Sequence, residues 1–380
     1  MNDFQQPQLV RELTPLAQAL AALSPYCQAI APALMRLEDA ADGVAAAPIR
    51  APAAIPLAPV ALREGWAAAA QDTLGASSYA PVIASAALVR VGVGDILPDF
   101  ADAVLPLASV SGQGSSLPLE ILKSVAPGEG ARVRAGDFAE GAVIVAEGQR
   151  LRPAHLALLR LAGIEEVSLR IPRLRVLSRG AAGKWICAMA AREGATSRLD
   201  AVDVVGRIDL AKALAQSDAD LILVIGAAGA DHSAAPMLSR DGGLLVHGIA
   251  VRPGETMGCG FLPALSTENP TPVIFAPDRI ECALAAWLLL VRPCLRLLAG
   301  AVDADRGETL TLTRKITSDP GICDLVLLRR AIGASGARLW EPLATGDIPW
   351  AAIGHADAWL LVEPECEGYA AGQPIFAQFL

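Results

Sequence analysis

The sequence predicts a multi-domain α/β protein. One stretch alternates strand and helix, a later stretch breaks into short alternating strands, and the chain length calls for more than one core. At 380 residues, with about 150 residues per domain, it holds roughly two to three domains. From Leu174 onward the pattern runs strand Leu174–Leu177, helix Lys184–Arg192, strand Arg198–Val205, helix Asp209–Gln216 and strand Asp220–Ile225. Such alternation means parallel strands joined by right-handed helical crossovers. Leu221 to Ile225 are all apolar, as a central strand covered on both faces requires. Strands at Leu244–Ala250 and Val273–Phe275 and a helix at Arg279–Leu298 extend this doubly wound unit. Beyond Gly300, Thr309–Thr313, Asp324–Leu328, Arg338–Trp340 and Ala358–Val362 alternate between glycine-bearing turns, which predicts a small β-barrel or sandwich.

Upstream, Leu16, Ala19, Leu20 and Leu23 share one helical face, and a second helix is expected over Tyr26–Leu37. Prolines 48, 52, 56 and 59 hold the chain extended, marking a passage between domains. A helix is expected over Arg63–Leu74, then strands over Val82–Val91 and Ala103–Leu107, and a Gly/Ser loop over Ser109–Ser116. Arg152–Ala162 reads as a helix stopped by Gly163.

Composition narrows the function. With 31 Lys+Arg against 40 Asp+Glu the formal charge is −9, so no general attraction to nucleic acid is expected. Hydrophobic content is 53% and mean hydropathy +0.43, yet the densest apolar run, Ala283–Val291, is too short to span a bilayer. No basic segment followed by an apolar stretch opens the chain, so no secretory or transit signal is visible and a cytoplasmic location is expected. Seven cysteines include no pair at two- to four-residue spacing, and they read as reduced and mostly buried. None of the four histidines lies within five residues of a cysteine or of another histidine, leaving little support for zinc.

In an open parallel sheet, ligands gather beyond the carboxyl ends of the strands. Four loops there are informative. Ser178-Arg179-Gly180-Ala181-Ala182-Gly183 leads into a helix whose N-terminus and amides suit an anion, with Arg179 adding charge; it also fits an ordinary strand-to-helix turn. Gly226 to His232 combines small residues with Asp231 and His232, a pair suited to a metal or a proton transfer, or simply to helix capping. His247 to Gly254 carries Arg252, a fork of donors for a carbonyl or phosphate, and Phe275-Ala276-Pro277-Asp278 closes a strand.

Taken together, these segments resemble the molybdopterin molybdenumtransferase family, of the MoeA and gephyrin E-domain type, over nearly the whole chain. Leu62-Arg63-Glu64-Gly65-Trp66-Ala67 resembles that family's Met-Asp-Gly-Tyr-Ala, and Val91 to Val104 its Thr-Gly-Ala-x-Leu-Pro-x-Gly-Ala-Asp-Ala-Val. Gly136 to His155 is similar to the stretch that precedes the family's doubly wound domain, and His247 to Gly254 to His-Gly-Val-Ala-Met-Lys-Pro-Gly. The resemblance implies an elongated subunit with a discontinuous linker domain (1–47 and 122–170), an inserted β-rich domain (48–121), a doubly wound molybdopterin-binding type domain (171–299) and a C-terminal β-barrel (300–380). It also implies a homodimer that inserts molybdate into adenylylated molybdopterin with Mg²⁺, releasing AMP, and a possible molybdoenzyme client. Carried onto this chain, it assigns Glu64 and Asp231 to catalysis and metal, and Gly94, Ser178, Arg179, Gly180, Gly226, His232, Arg252, Gly254 and Pro277 to the pterin ligand.

Several positions depart from the family pattern. The carboxylates of Ser-Thr-Gly-Asp-Glu become Ala181 and Ala182, the threonine of Thr-Gly-Ala becomes Val93, and Pro-Gly-Asn-Pro becomes Pro277-Asp278-Arg279-Ile280. Loss of hard oxygen ligands weakens a magnesium site, while Arg179 and Arg279 are expected to make the cleft cationic. A non-catalytic carrier of molybdopterin or finished cofactor, or a dimeric scaffold, is therefore the alternative to an enzyme.

Overall fold

The computed structural model describes residues 10, 12–84, 88–112, 119–201, 214, 218–228, 234–240, 243–263, 270–303 and 306–380. Asp231, His232 and all but one residue of the helix expected at Asp209–Gln216 lie outside these. The chain forms two compact units. The first comprises residues 1–47, 147–152 and 168–380, and the second residues 48–146 and 153–167.

The first unit is built on a six-stranded sheet. Its strands are β1 (Arg173–Leu177), β2 (Thr196–Asp200), β3 (Leu221–Ile225), β4 (Leu244–His247), β5 (Gly258–Leu262) and β6 (Thr271–Ala276), in the order β2-β1-β3-β6-β5-β4. The four strands β2, β1, β3 and β6 run parallel, while β5 is antiparallel to both β6 and β4. The sheet is thus mixed. Strand β5 was not anticipated, because Gly258 and Gly260 dilute its pattern; the structure needs both, since a Cβ at Gly260 would lie 2.3 Å from the Gly243 carbonyl oxygen. All five residues of β3 are buried, as a strand covered on both faces must be.

Helices α1 (Leu16–Leu23), α2 (Ala181–Arg192), α3 (Ala234–Arg240) and α4 (Ile280–Ala299) accompany the sheet. Helix α4 contains a π-helical segment at Trp287–Val291, then Pro293 near the start of its last stretch, and ends at Gly300 in the left-handed conformation. At 20 residues α4 has the length and apolarity of a membrane span, but 78% of its most apolar window is buried in this unit, so it is a core helix.

Five strands close a barrel at the end of the chain. They are β7 (Gly307–Leu312), β8 (Cys323–Ile332), β9 (Arg338–Thr345), β10 (Ala358–Val362) and β11 (Pro374–Phe379), ringed as β8-β9-β7-β11-β10 and back to β8. Closure removes open edges. Trp340, Val326, Leu328 and Val362 fill the interior, and the short helix α5 (Trp350–His355) precedes β10. The two-residue strand Val251–Arg252 joins the barrel alongside β8, with Val251 opposite Cys323 and Arg252 opposite Asp324.

The second unit relies on short strands and an alanine-rich core of Ala68, Ala70, Ala76, Ala84 and Ala103 around Leu105, Leu119 and Ile121. The helix expected over Arg63–Leu74 is instead a strand at Gly65–Ala68 followed by a 3₁₀ turn at Ala70–Thr73. Gly65–Ala68 is sandwiched between Val89–Val91 and Ala103–Pro106, so close that a Cβ at Gly65 would lie 2.0 Å from the Leu105 carbonyl oxygen. Tertiary pairing overrides local helix propensity here. In the first unit, Tyr26–Leu37 likewise holds the strand Ala33–Arg36 rather than one helix, with Pro25 and Pro32 interrupting the helical pattern.

Candidate functional site

Strand order places a topological switch between β1 and β3. The chain leaves β1 for β2 on one side and returns to β3 on the other, and in such sheets the crevice beyond the carboxyl ends receives ligands. The segments leaving β1, β3 and β6 meet there. Gly180 caps the start of α2, and a Cβ on it would lie 3.2 Å from Oδ1 of Asp278 in the loop after β6. The Gly226 N–H, just after β3, donates to the Ala276 carbonyl at 2.9 Å, and its φ of +103° is one a side chain would oppose. Ser178 is buried and its Oγ accepts the Gly180 N–H at 3.2 Å, while Pro277 accepts the Arg279 N–H through its carbonyl at 2.8 Å. Arg179 is exposed. The structure therefore brings Ser178, Gly180, Gly226 and Pro277 together.

Arg252 and Gly254 line a hollow of about 430 Å³ together with Arg279, Glu281, Asp319 and Asp324. Arg252 precedes Pro253 across a cis peptide bond, and every nitrogen of its guanidinium meets an acid. Nε donates to Asp324 Oδ1 and Nη2 to Asp324 Oδ2, both at 2.8 Å, and Nη1 donates to Asp319 Oδ2 at 3.0 Å. The Asp324 hydrogen bond, reinforced by the one to Asp319, raises the Arg252 pKa against the opposing effect of burial. Asp324 is buried and also accepts from Ser318 Oγ at 2.7 Å. Strand register sets the pair, since Arg252 and Asp324 are direct neighbours on adjacent strands.

A second acid, Glu281 in the first turn of α4, is only 2% exposed, and neither carboxylate oxygen has a hydrogen-bond partner among the described residues. Oε1 meets the Arg279 guanidinium in an ion contact, and Arg279 is itself 68% exposed. Five carboxylates, those of Glu255, Glu281, Asp319, Asp324 and Asp347, line this hollow against two arginines. Arg279 lines this hollow and Arg179 does not, and here the carboxylates outnumber the arginines. Asp319, Asp324 and Glu281 were missed at the sequence level. Only Glu281 left a local signal, a lone acid directly before the apolar run 282–291.

Glu64 and Gly94 belong to the second unit. Glu64 is exposed and ion-paired to Arg90 Nη2 at 2.7 Å, and Gly94 sits at φ +87° with open space around its Cα. Among the described residues no group of three or more His, Cys, Asp or Glu side chains is placed to hold a metal ion. With Glu64 engaged by Arg90, the described residues do not fit Mg²⁺.

The sequence profile of the MoeA N-terminal region (domain I and II) matches residues 14–163. A protein of Methanocaldococcus jannaschii named for molybdopterin biosynthesis is 24% identical over 373 residues, covering 88% of this chain and 89% of its own length. Molybdopterin molybdenumtransferase 2 of Mycobacterium tuberculosis is 25% identical, covering 77% and 82% respectively. Residues 14–163 thus carry a MoeA-type N-terminal region, and the chain is similar to these molybdopterin proteins over most of its length. The solved molybdopterin biosynthesis MoeA protein of Pyrococcus horikoshii shares its fold, with a TM-score of 0.76 at 20% identity over 97% of this chain and 100% of that one. The chain shares that fold and has a closed five-stranded barrel, while the residues around its strand ends are small or paired internally.

Proposed function

We propose that this protein acts in molybdenum cofactor biosynthesis by binding molybdopterin at the crevice beyond β1, β3 and β6. The convergence of Ser178–Gly180, Gly226 and Pro277–Asp278 at the switch point carries this reading, because small residues and a helix N-terminus let a phosphorylated ligand approach the backbone closely. Gly94, Arg179 and Gly254, and Asp231 with His232, are the further contacts this reading assigns, with molybdate as the second substrate. A homodimer in the cytoplasm, serving a molybdoenzyme client, completes it.

A second reading, retention of the pterin without molybdate insertion, draws support from one observation. The Arg252 fork, a candidate donor to a phosphate or carbonyl, is spent on Asp324 and Asp319. Three of its five N–H donors, the bidentate edge among them, are engaged before any ligand arrives.

Incubation with adenylylated molybdopterin, molybdate and Mg²⁺, following retained pterin and released AMP separately, tests both. Pterin retained with AMP release is the transferase outcome, and retention alone is the carrier outcome. Absence of retained pterin overturns the proposal. Sedimentation velocity checks the homodimer.

A further inference from the structure

The first unit has a second, larger hollow of about 810 Å³, within the size range of small-molecule sites. It lies at the other end of α2. Gly180 caps the helix start beside the strand-end loops, whereas Arg192, its last residue, lines this hollow. Twelve helical residues separate the two ends by roughly 18 Å.

Six arginines line the hollow (150, 152, 192, 292, 296 and 306) against three side-chain carboxylates, Asp42, Glu193 and Asp303. This concentrates positive charge in a chain whose net charge is −9. Two of the acids are already committed. Glu193 lies 2.6 Å from Arg292 and 3.2 Å from Arg150, and Asp303 lies 3.3 Å from Arg150. Arg192 and Arg306, both exposed, have no hydrogen-bond or ion-pair partner for their side chains among the described residues. A helix C-terminus favours a cation and accounts for Arg192 and Arg296 one at a time. It does not account for Arg306, or for Arg152, which precedes the positive end of the helix Pro153–Leu161.

The lining is also aromatic and soft. Trp185 and Met189, one turn apart on α2 and half-buried, share a stripe with Arg192, and Trp287 and Phe379 complete the wall. Arginine forks match phosphate oxygens, and a tryptophan flank takes a planar ring.

We infer that this hollow binds a planar heterocycle carrying two or more phosphates, with Arg192 and Arg306 on the phosphates and Trp185 against the ring. A nucleotide and a phosphorylated pterin share this chemistry, and the test separates them. The inference is independent of the strand-end site.

Isothermal titration of the full chain with ADP, dihydroneopterin triphosphate and pyrophosphate provides that test. Saturable binding of one ring-bearing ligand is expected, and whichever of the two binds more tightly identifies the source. The double variant Arg192→Glu/Arg306→Glu, two exposed positions, should weaken it by roughly tenfold or more and flatten its salt dependence. Trp185→Leu should weaken the ring-bearing ligand while leaving pyrophosphate unchanged. Absence of saturable binding by all three ligands overturns the inference. So does binding unaffected by the double variant, or binding abolished by Arg252→Glu and kept in the double variant, which would place the phosphates at the strand-end hollow instead.

Discussion

Arg252 and Arg192 both stand on the wall of a hollow in the same unit, and they differ in what they have left to give. Arg252 donates three hydrogen bonds to two carboxylates, one of them buried, whereas Arg192 is exposed and unengaged among the described residues. An arginine near a cleft is thus no guide to anion binding by itself. What matters is unspent donor capacity, because a guanidinium already matched to a carboxylate must surrender that pairing to accept a phosphate.

The comparison breaks most visibly at Asp324. Replacing it by alanine strips Arg252 of its bidentate partner and removes the acceptor for Ser318, so urea unfolding at pH 7 should register a loss of about 3 kcal/mol. A loss well under 1 kcal/mol would mean the clamp is not structural, and Arg252 would be available to a ligand after all.

Asp200 gives an intermediate case at the end of β2. The hydrogen bond from Arg198, helped by Arg175, holds its carboxyl below the usual carboxylate range against the upward push of burial. A depressed folded-state pKa contributes stability that is fully present above the unfolded value and lost as pH falls through the folded one. Asp200→Asn should therefore cost about 1 kcal/mol at pH 7, with the difference from wild type shrinking below about pH 4. Acid titrations of both proteins by circular dichroism, converging at low pH, are the expected result.

The thiols give a sharper contrast of burial. Cys27, Cys259, Cys282, Cys294 and Cys323 are buried, and desolvation pushes Cys259 and Cys282 up to about 12, so a thiolate reagent at pH 8 should label Cys187 and Cys366 first. Peptide mapping after brief exposure checks the order.

The smallest effect belongs to Arg192 itself. With no side-chain partner among the described residues to lose, Arg192→Ala should change stability by no more than about 0.5 kcal/mol.

What the sequence made legible follows from how local the cause is. The alternation around β1, α2, β2 and β3 shows on its own residues, because a doubly wound unit imposes period 2 and period 3.6 in turn, and the barrel strands announce themselves the same way. Strand Gly65–Ala68 did not, since it exists through pairing with residues about 25 and 40 positions away, on a segment whose composition favours a helix. Strand β5 was hidden by the glycines its close packing demands. In the candidate site, the small-residue loops were readable as loops. The pairing of Arg252 with Asp324 was not, because 72 residues separate them and only the register of Val251–Arg252 on β8 joins them.

That two-residue seam bears on how the molecule can be taken apart. Residues 300–380 form a closed ring, yet β8 also holds a stitch of chain that arrives from beyond β4, and the stitch ends in an ion pair with a buried carboxylate. Severing the polypeptide near Gly300 would leave each fragment with a torn hem: one with a stranded guanidinium, the other with a desolvated acid and unmatched backbone. The ring is therefore no detachable cartridge, and any shortened version that keeps the doubly wound sheet must either carry the ring with it or neutralise both halves of the seam.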